Sequence, residues 1–158
     1  MKMPEAGFGV VPVEQARGMD GLTLFEEIRA GRLPAPPIAR VLGFWIDEVE
    51  AGRVTFGYKP VIDHYNPIGS VHGGIAATLL DSVMGCSIHT MLKAGTGYTT
   101  VEIKINYVRA MTDGTGEVRA GGKVINLGSR IATAEGRLTD ASGKLLAHGT
   151  TTCLVFAI

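Results

Sequence analysis

The sequence predicts an α+β fold in which an antiparallel sheet wraps around one long helix. From Gly74 to Leu92 nearly every side chain is apolar or small on all sides, which is typical of a buried helix. After this segment the apolar residues recur with a period of two, as they do in strands. Because strands follow one another without intervening helices, a parallel βαβ sheet is not predicted.

The elements before the long helix are short. Residues 1–20 are rich in Gly and Pro and are expected to form an arm or a disordered leader. The segment 22–30 predicts a helix, because its apolar side chains share one face and a glycine follows it. A proline-rich connector comes next, and residues 38–43 predict a further helical turn.

The alternation of apolar and polar residues predicts the strands. Phe44 to Lys59 favours two strands that turn at Ala51-Gly52, whereas residues 61–73 are expected to be an irregular loop, because Pro67 and Gly69 interrupt it. After the long helix we expect a four-strand antiparallel meander with strands at 99–108, 114–127, 129–139 and 144–156. Residues 1–35 are thus predicted to be an N-terminal arm, and residues 36–158 the main domain.

Composition limits the function classes. The 158 residues fit one domain, and 46% hydrophobic against 19% charged residues is the balance of a folded chain. Fifteen basic and fifteen acidic residues cancel, which argues against a nucleic-acid or membrane partner and favours burial of a surface in a homo-oligomer. Cys86 and Cys153 have neither disulfide-framework nor zinc-site spacing, which favours a reducing, cytoplasmic location.

One carboxylate interrupts the apolar helix. Asp81 lies in its middle, and an unpaired buried charge is costly, so this residue is expected to have either a partner or a chemical purpose. The alternative is an ordinary hydrogen-bonded structural acid.

The residues His72-Gly73-Gly74 lead into the same helix. The first N–H groups of a helix have no internal acceptor and carry partial positive charge, so this corner suits an oxyanion or a carbonyl oxygen. The alternative is a glycine pair that only permits a tight turn. Asp81 lies about 10 Å along the helix from Gly74, too far for both to reach one small group. A second, antiparallel copy of the chain would bring a partner's acid opposite the corner. Asn66 in the preceding loop is a further amide donor, or else an ordinary turn residue.

These residues carry a family resemblance. The string HYNPIGSVHGGIAATLLDSVMGCSI, from His64 to Ile88, resembles the hotdog-fold acyl-CoA thioesterases of the phenylacetate-pathway (PaaI-like) type. That family has an Asn, then His-Gly-Gly at the start of the central helix, then an Asp nine residues after the His, and this chain matches at Asn66, His72 and Asp81. The similarity extends over roughly residues 40–157 and implies the hotdog fold.

The resemblance implies roles for the site residues. The Gly73 N–H would polarise the thioester carbonyl with help from Asn66, and His72 would orient the loop. Asp81 of the neighbouring subunit would activate a water as general base, or attack directly, and Thr100 would help to hold the water. The implied function is hydrolysis of acyl-CoA to free acid and CoA in a homodimer or homotetramer, without a cofactor, since CoA is part of the substrate. Further residues predicted to contact substrate are His64, Tyr65, Gly74, Met84, Thr99, Arg109 and Arg130. Ile88 and Pro67 are added as pocket candidates.

Three other functions remain as alternatives. The chain could be a non-catalytic acyl-CoA-binding hotdog module, which would have no need of Asp81. A hotdog hydratase is less favoured, because it resembles a different Asp/His signature. A metal site built from the four histidines is disfavoured, since only His64 and His72 are close in sequence and their spacing is not that of ligands.

Overall fold

The computed structural model describes residues 5–158. Within that range the chain forms four α-helices and six strands: α1 Val13–Arg17, α2 Gly21–Arg29, α3 Pro37–Leu42, β1 Phe44–Glu50, β2 Arg53–Tyr58, α4 Gly73–His89, β3 Thr96–Tyr107, β4 Val118–Leu127, β5 Ile131–Asp140 and β6 Leu145–Ala157. The helices α2 and α3, the β1–β2 hairpin and the long helix α4 all occur where the sequence predicts them.

The six strands form one antiparallel sheet in the order β1-β2-β4-β5-β6-β3. Helix α4 packs across β2 to β6, and its buried side chains, among them Leu80, Val83 and Met84, form the centre of the core. The predicted fold, an antiparallel sheet around one central helix, is confirmed.

The predicted four-strand meander is wrong. Strand β3 pairs with β6 at the sheet edge, so only β4, β5 and β6 form a meander, and β2 occupies the position beside β4. The connection over residues 108–117 makes this possible, because ten extended residues reach about 33 Å and three strand spacings need only about 14 Å. This connection includes the 3₁₀ turn Asp113–Thr115, where a strand start was predicted.

Two hydroxyls fix the end of α4. The helix ends at His89, three residues before the predicted end, and the cap residue Thr90 accepts a hydrogen bond from the Gly52 N–H while donating to the Ser87 carbonyl. Ser87 in turn accepts the Val54 N–H at 3.1 Å. The C-terminal end of the helix is therefore tied to the β1–β2 hairpin.

The N-terminal residues are more regular than predicted. Residues 5–20 include α1, and an isolated parallel bridge joins Phe8 to Ala35, so the described part of this segment is not a disordered leader. The predicted loop at 61–73 likewise contains a 3₁₀ turn, Ile62–His64, because Pro67 and Gly69 break the chain only after it. Among the described residues, no helix is both long and apolar enough to span a membrane.

Strand β3 leaves an apolar face uncovered. Val101 and Tyr107 are more than half exposed, and Ile103 is also exposed. The strand has a free edge, because β6 pairs with only one of its sides, and its register is broken by a bulge between Thr100 and Glu102. Unpaired, apolar edge strands are prone to pair with another chain.

Candidate active site

The carboxylate of Asp81 is held by the neighbouring strand. Thr100 on β3 donates its hydroxyl to Asp81 Oδ1 at 3.0 Å, and the side chain of Asp81 is half-buried. Within the described part of the chain, Oδ2 accepts no hydrogen bond. The acid therefore has one oxygen fixed by a partner and one oxygen available to a water.

A cavity of about 670 Å³ borders Asp81. One wall comes from α4 and β3, with Asp81, Ser82, Cys86 and Tyr98. The remaining walls are mostly apolar and come from β1, α2 and the segments around α2. Such a cavity, apolar with a few polar groups at one side, has the character of a ligand site.

The other ionisable groups beside Asp81 stay neutral. Burial raises the pKa of the Cys86 thiol to about 12, and the negative charge of Asp81 adds to this rise. Burial also raises the pKa of Tyr98 well above its usual value. Because a thiol is nucleophilic only as the thiolate, Cys86 is not an activated nucleophile at neutral pH. Asp81 is left as the group on this wall that is suited to accept a proton.

The His-Gly-Gly corner presents one free donor. His72 is the N-cap of α4, and its Nδ1 accepts the Gly74 N–H at 2.8 Å. The Gly73 N–H, by contrast, has no acceptor among residues 5–158. Tyr107 flanks the corner and donates its hydroxyl to the Gly73 carbonyl at 3.2 Å. A free N–H at the positive end of a 17-residue helix can donate to a carbonyl oxygen or an oxyanion.

Asn66 is engaged in its own loop. Its Oδ1 accepts the backbone N–H groups of Ile68 and Ser70, and its Nδ2 donates to the Ser70 hydroxyl at 3.1 Å. These contacts shape the turn over residues 66–70. In this arrangement Nδ2 can donate to the carbonyl oxygen of a substrate only with its second hydrogen, or after its hydrogen bond to the Ser70 hydroxyl is broken.

His64 and Tyr65 brace the same loop. His64 Nδ1 shares a 2.8 Å hydrogen bond with the Tyr58 hydroxyl, and its carbonyl accepts the His72 N–H at 2.8 Å. Tyr65 donates its hydroxyl to Asp113 Oδ1 at 2.7 Å. The backbone of His64 thereby holds His72, and the Tyr65 side chain ties the loop to the connection between β3 and β4. Neither side chain lines the cavity.

The structure does not bring the remaining predicted substrate residues to the cavity. Met84 and Ile88 are fully buried in the core. Thr99 is exposed on the face of β3 opposite Thr100. The exposed Arg109 donates to the Leu145 carbonyl at 2.8 Å. Arg130 is exposed in the β4–β5 turn, and Pro67 is exposed in its loop.

Sequence reasoning missed several cavity residues. Ser82 and Cys86 lie one and five positions after Asp81, so helical geometry alone places them on a neighbouring stripe of α4. Tyr98 lies two positions before Thr100 and therefore points to the same side of β3. The N-terminal lining residues gave no comparable signal, because their partners are distant in sequence.

Asp81 and Gly73 of one chain are far apart. Eight residues along α4 correspond to about 12 Å, so the acid and the free N–H do not face one another within a single chain. The geometry thus presents two separate halves of a possible hydrolytic site, an acid with a cavity and an amide donor at a helix start.

Comparisons with known proteins identify the family of this chain. A sequence model of the thioesterase superfamily matches residues 68–147. Human acyl-coenzyme A thioesterase 13 is 30% identical over 112 residues, which are 70% of this chain and 79% of that one. A protein of Halobacterium salinarum assigned as an esterase is 29% identical over 99 residues, and the match spans 64% of its length, slightly less than two thirds.

A solved structure has the same architecture. It is a Ralstonia eutropha protein assigned as a thioesterase and as related to phenylacetic acid degradation. Its TM-score is 0.74, with 28% identity over 82% of this chain and 98% of that one. The match supports both the hotdog fold and the predicted phenylacetate-pathway type. Since the superfamily model covers half of the sequence and includes the His-Gly-Gly corner and Asp81, the chain belongs to the thioesterase superfamily.

Proposed function

We propose that the protein hydrolyses acyl-CoA thioesters to a free acid and CoA at a site shared by two subunits. The observation that carries the proposal is the position of Asp81, held by Thr100 at 3.0 Å on the wall of an apolar cavity. Membership of the thioesterase superfamily and the similarity to acyl-coenzyme A thioesterase 13 support the substrate class.

The proposed mechanism is general-base hydrolysis. Asp81 Oδ2 accepts a proton from a water whose oxygen attacks the thioester carbonyl carbon. The negative charge that forms on the carbonyl oxygen is stabilised by the Gly73 N–H of the opposite subunit. Collapse of this intermediate breaks the C–S bond, and the leaving CoA sulfur takes the proton that Asp81 accepted from the water, which restores the carboxylate. Thr100 contributes by holding Asp81 with its second oxygen toward the water.

A distance and an exposed strand edge support the proposed shared site. About 12 Å separates Asp81 from Gly73 within one chain, whereas one thioester carbonyl must reach both groups. The uncovered apolar face of β3 lies next to both halves, since this strand carries Thr100 and Tyr107. We therefore propose a homodimer, alone or doubled to a tetramer, that is joined along β3. Arg109 and Arg130 remain proposed contacts for CoA phosphates.

The Asp81→Asn variant tests the proposed base. The amide keeps the size of the side chain and can accept the Thr100 hydroxyl, but it cannot take a proton from water. We expect kcat to fall by at least ~10²-fold while acyl-CoA binding persists. Turnover is measured by release of free thiol, and binding by titration calorimetry.

A matched control separates this effect from a general loss of charge. Glu135→Gln makes the same carboxylate-to-amide change on the exposed side of β5 and is expected to keep wild-type turnover. Wild-type turnover by Asp81→Asn would refute the assignment of the base. Unchanged binding with lost turnover distinguishes an enzyme from a non-catalytic acyl-CoA-binding module.

A further inference from the structure

We infer that the segment from Glu5 to Pro37 forms the wall that selects the acyl group, and that it admits uncharged, apolar acyl groups longer than acetyl. This inference rests on the proposed thioesterase function and concerns the same site. The segment lies outside residues 68–147, the part that the superfamily sequence model matches. Acyl selection would thus be set by a part of the chain that this model does not cover.

The wall is held together by backbone hydrogen bonds. Its two extended stretches, around Gly9 and around Ala35, are joined by the Gly9 N–H, which donates to the Ala35 carbonyl at 2.9 Å, and by the Ala35 N–H, which donates to the Gly7 carbonyl at 3.0 Å. Leu24 on α2 and Leu33 after it are buried, with exposed fractions of 7% and 6%. The wall is therefore packed onto the rest of the protein by its own apolar side chains.

Helix α2 is tied to the sheet. Arg29 donates its Nε to the Asp47 carbonyl of β1 at 2.7 Å, and Arg32 forms a two-pronged pair with Glu27 at 2.6 Å. Phe25 packs edge-on against His89 at the end of α4, with ring centroids 5.4 Å apart. The wall is therefore attached both to β1 and to α4.

The surfaces that face the cavity are apolar opposite Asp81. Helix α2 presents Leu24, Phe25 and Ile28, and the extended stretches present Phe8 and Pro34. Among the described lining residues the other charged side chains are Glu5 and Arg29, both exposed at the surface. Arg29 is exposed, and its Nε already donates to the Asp47 carbonyl. An acyl group that carries a carboxylate would therefore lose its hydration without gaining a buried cation, and it would be repelled by Asp81.

Chain length should therefore raise the rate, and acyl charge should lower it. Each additional methylene buried against the wall is expected to increase kcat/KM about fourfold until the cavity is filled. We expect octanoyl-CoA to exceed acetyl-CoA in kcat/KM by at least ~10²-fold, and succinyl-CoA to be a poor substrate.

Ile28→Trp tests the wall directly, because Ile28 lines the cavity and a larger side chain fills it. The ratio of kcat/KM for octanoyl-CoA to that for acetyl-CoA should fall by at least ~10-fold. Val41→Trp is the matched control, since Val41 is 65% exposed on α3 and does not line the cavity. It should keep the wild-type ratio. Ile28→Ala, a milder change, should lower the ratio roughly fivefold.

The outcomes separate the two proposals. An unchanged ratio in both Ile28 variants, or efficient hydrolysis of succinyl-CoA, would overturn the wall as the selective element. If the wild type hydrolyses none of these thioesters, the proposed function fails, and titration calorimetry with the uncharged decan-1-ol then tests the wall alone. Decan-1-ol should bind the wild type and Val41→Trp alike and bind Ile28→Trp at least ~10-fold more weakly. Equal binding by all three would overturn the inference.

Discussion

The backbone N–H of Gly73 has no hydrogen-bond acceptor because of the way α4 begins. Gly73 is the first residue of the helix, so its N–H has no acceptor inside the helix, and the N-cap side chain of His72 accepts the N–H of Gly74 instead. The start of α4 is therefore capped without a hydrogen bond from the Gly73 N–H. A donor that the fold does not use is available to a substrate at no structural cost.

Gly73→Pro removes this donor while keeping the helix. Proline is favoured at the first helical position, and the extended conformation of His72 suits a residue before proline. We expect kcat to fall by ~10²–10³-fold, the effect of losing one oxyanion donor. The control is Gly73→Ala, which keeps the N–H and adds a methyl group 3.2 Å from Tyr107 Cε1. Equal rates for the two variants would show that the donor has no role.

The Cys86 thiol gives a second test on single residues. Its pKa of about 12 lies far above that of a free thiol, so the thiolate fraction at pH 8 is only ~10⁻⁴. We expect iodoacetamide to modify Cys86 at least ~10²-fold more slowly than free cysteine at pH 8, with acceleration as the pH rises toward 12. Mass spectrometry of the labelled peptide gives the rate. Fast labelling at pH 8 would mean that the thiol is activated and competes with Asp81 for the role of reactive group.

At the scale of elements, the contact between α4 and the sheet depends on a glycine in β4. A Cβ on Gly122 would lie 2.5 Å from the Val83 carbonyl oxygen and 2.7 Å from the Ser87 hydroxyl. The adjacent Gly121 points to the other side, where nothing lies within 4 Å. Two neighbouring glycines therefore differ completely in what a methyl group would meet.

Gly122→Ala should destabilise the protein by about 1–3 kcal/mol, because α4 must move away from the sheet or the strand must bend. Gly121→Ala, one residue away in the same strand, should change stability by less than about 0.5 kcal/mol. Urea unfolding followed by circular dichroism measures both. Similar losses for the two variants would argue against close packing as the cause.

The elements also show what the sequence could and could not predict. Helix α4 and most of the strand segments were predictable because their periodicity reflects local burial. Asp81 and His72 were singled out by their places within the apolar helix and at its start, whereas the role of Thr100 came only from the family resemblance. The pairing of β3 with β6 could not be predicted in this way. Strands that follow one another in the sequence usually pair, so the sequence favours the pairing of β3 with β4. The wall formed by the N-terminal segment was also hidden, since the hydrogen bond from Gly9 to Ala35 joins residues with no shared pattern.

At the scale of the whole molecule, the proposed sharing of the site can be tested by mixing two inactive variants. Asp81→Asn keeps a working donor, and Gly73→Pro keeps a working base. Unfolded and refolded together in equal amounts, they should give mixed dimers with one complete site, and about a quarter of wild-type activity. Light scattering checks that the mixture is assembled. An inactive, assembled mixture would place both groups in one chain's own site.

In the proposed dimer each site takes Asp81 from one chain and Gly73 from the other. This arrangement has a consequence for cells that contain both wild-type and variant chains. A chain that carries both Asp81→Asn and Gly73→Pro would spoil both sites of any dimer it enters, because each site borrows one group from it. Such a double variant would inactivate the wild-type chains with which it forms dimers in the same cell, whereas either single variant would leave one site of each mixed dimer active.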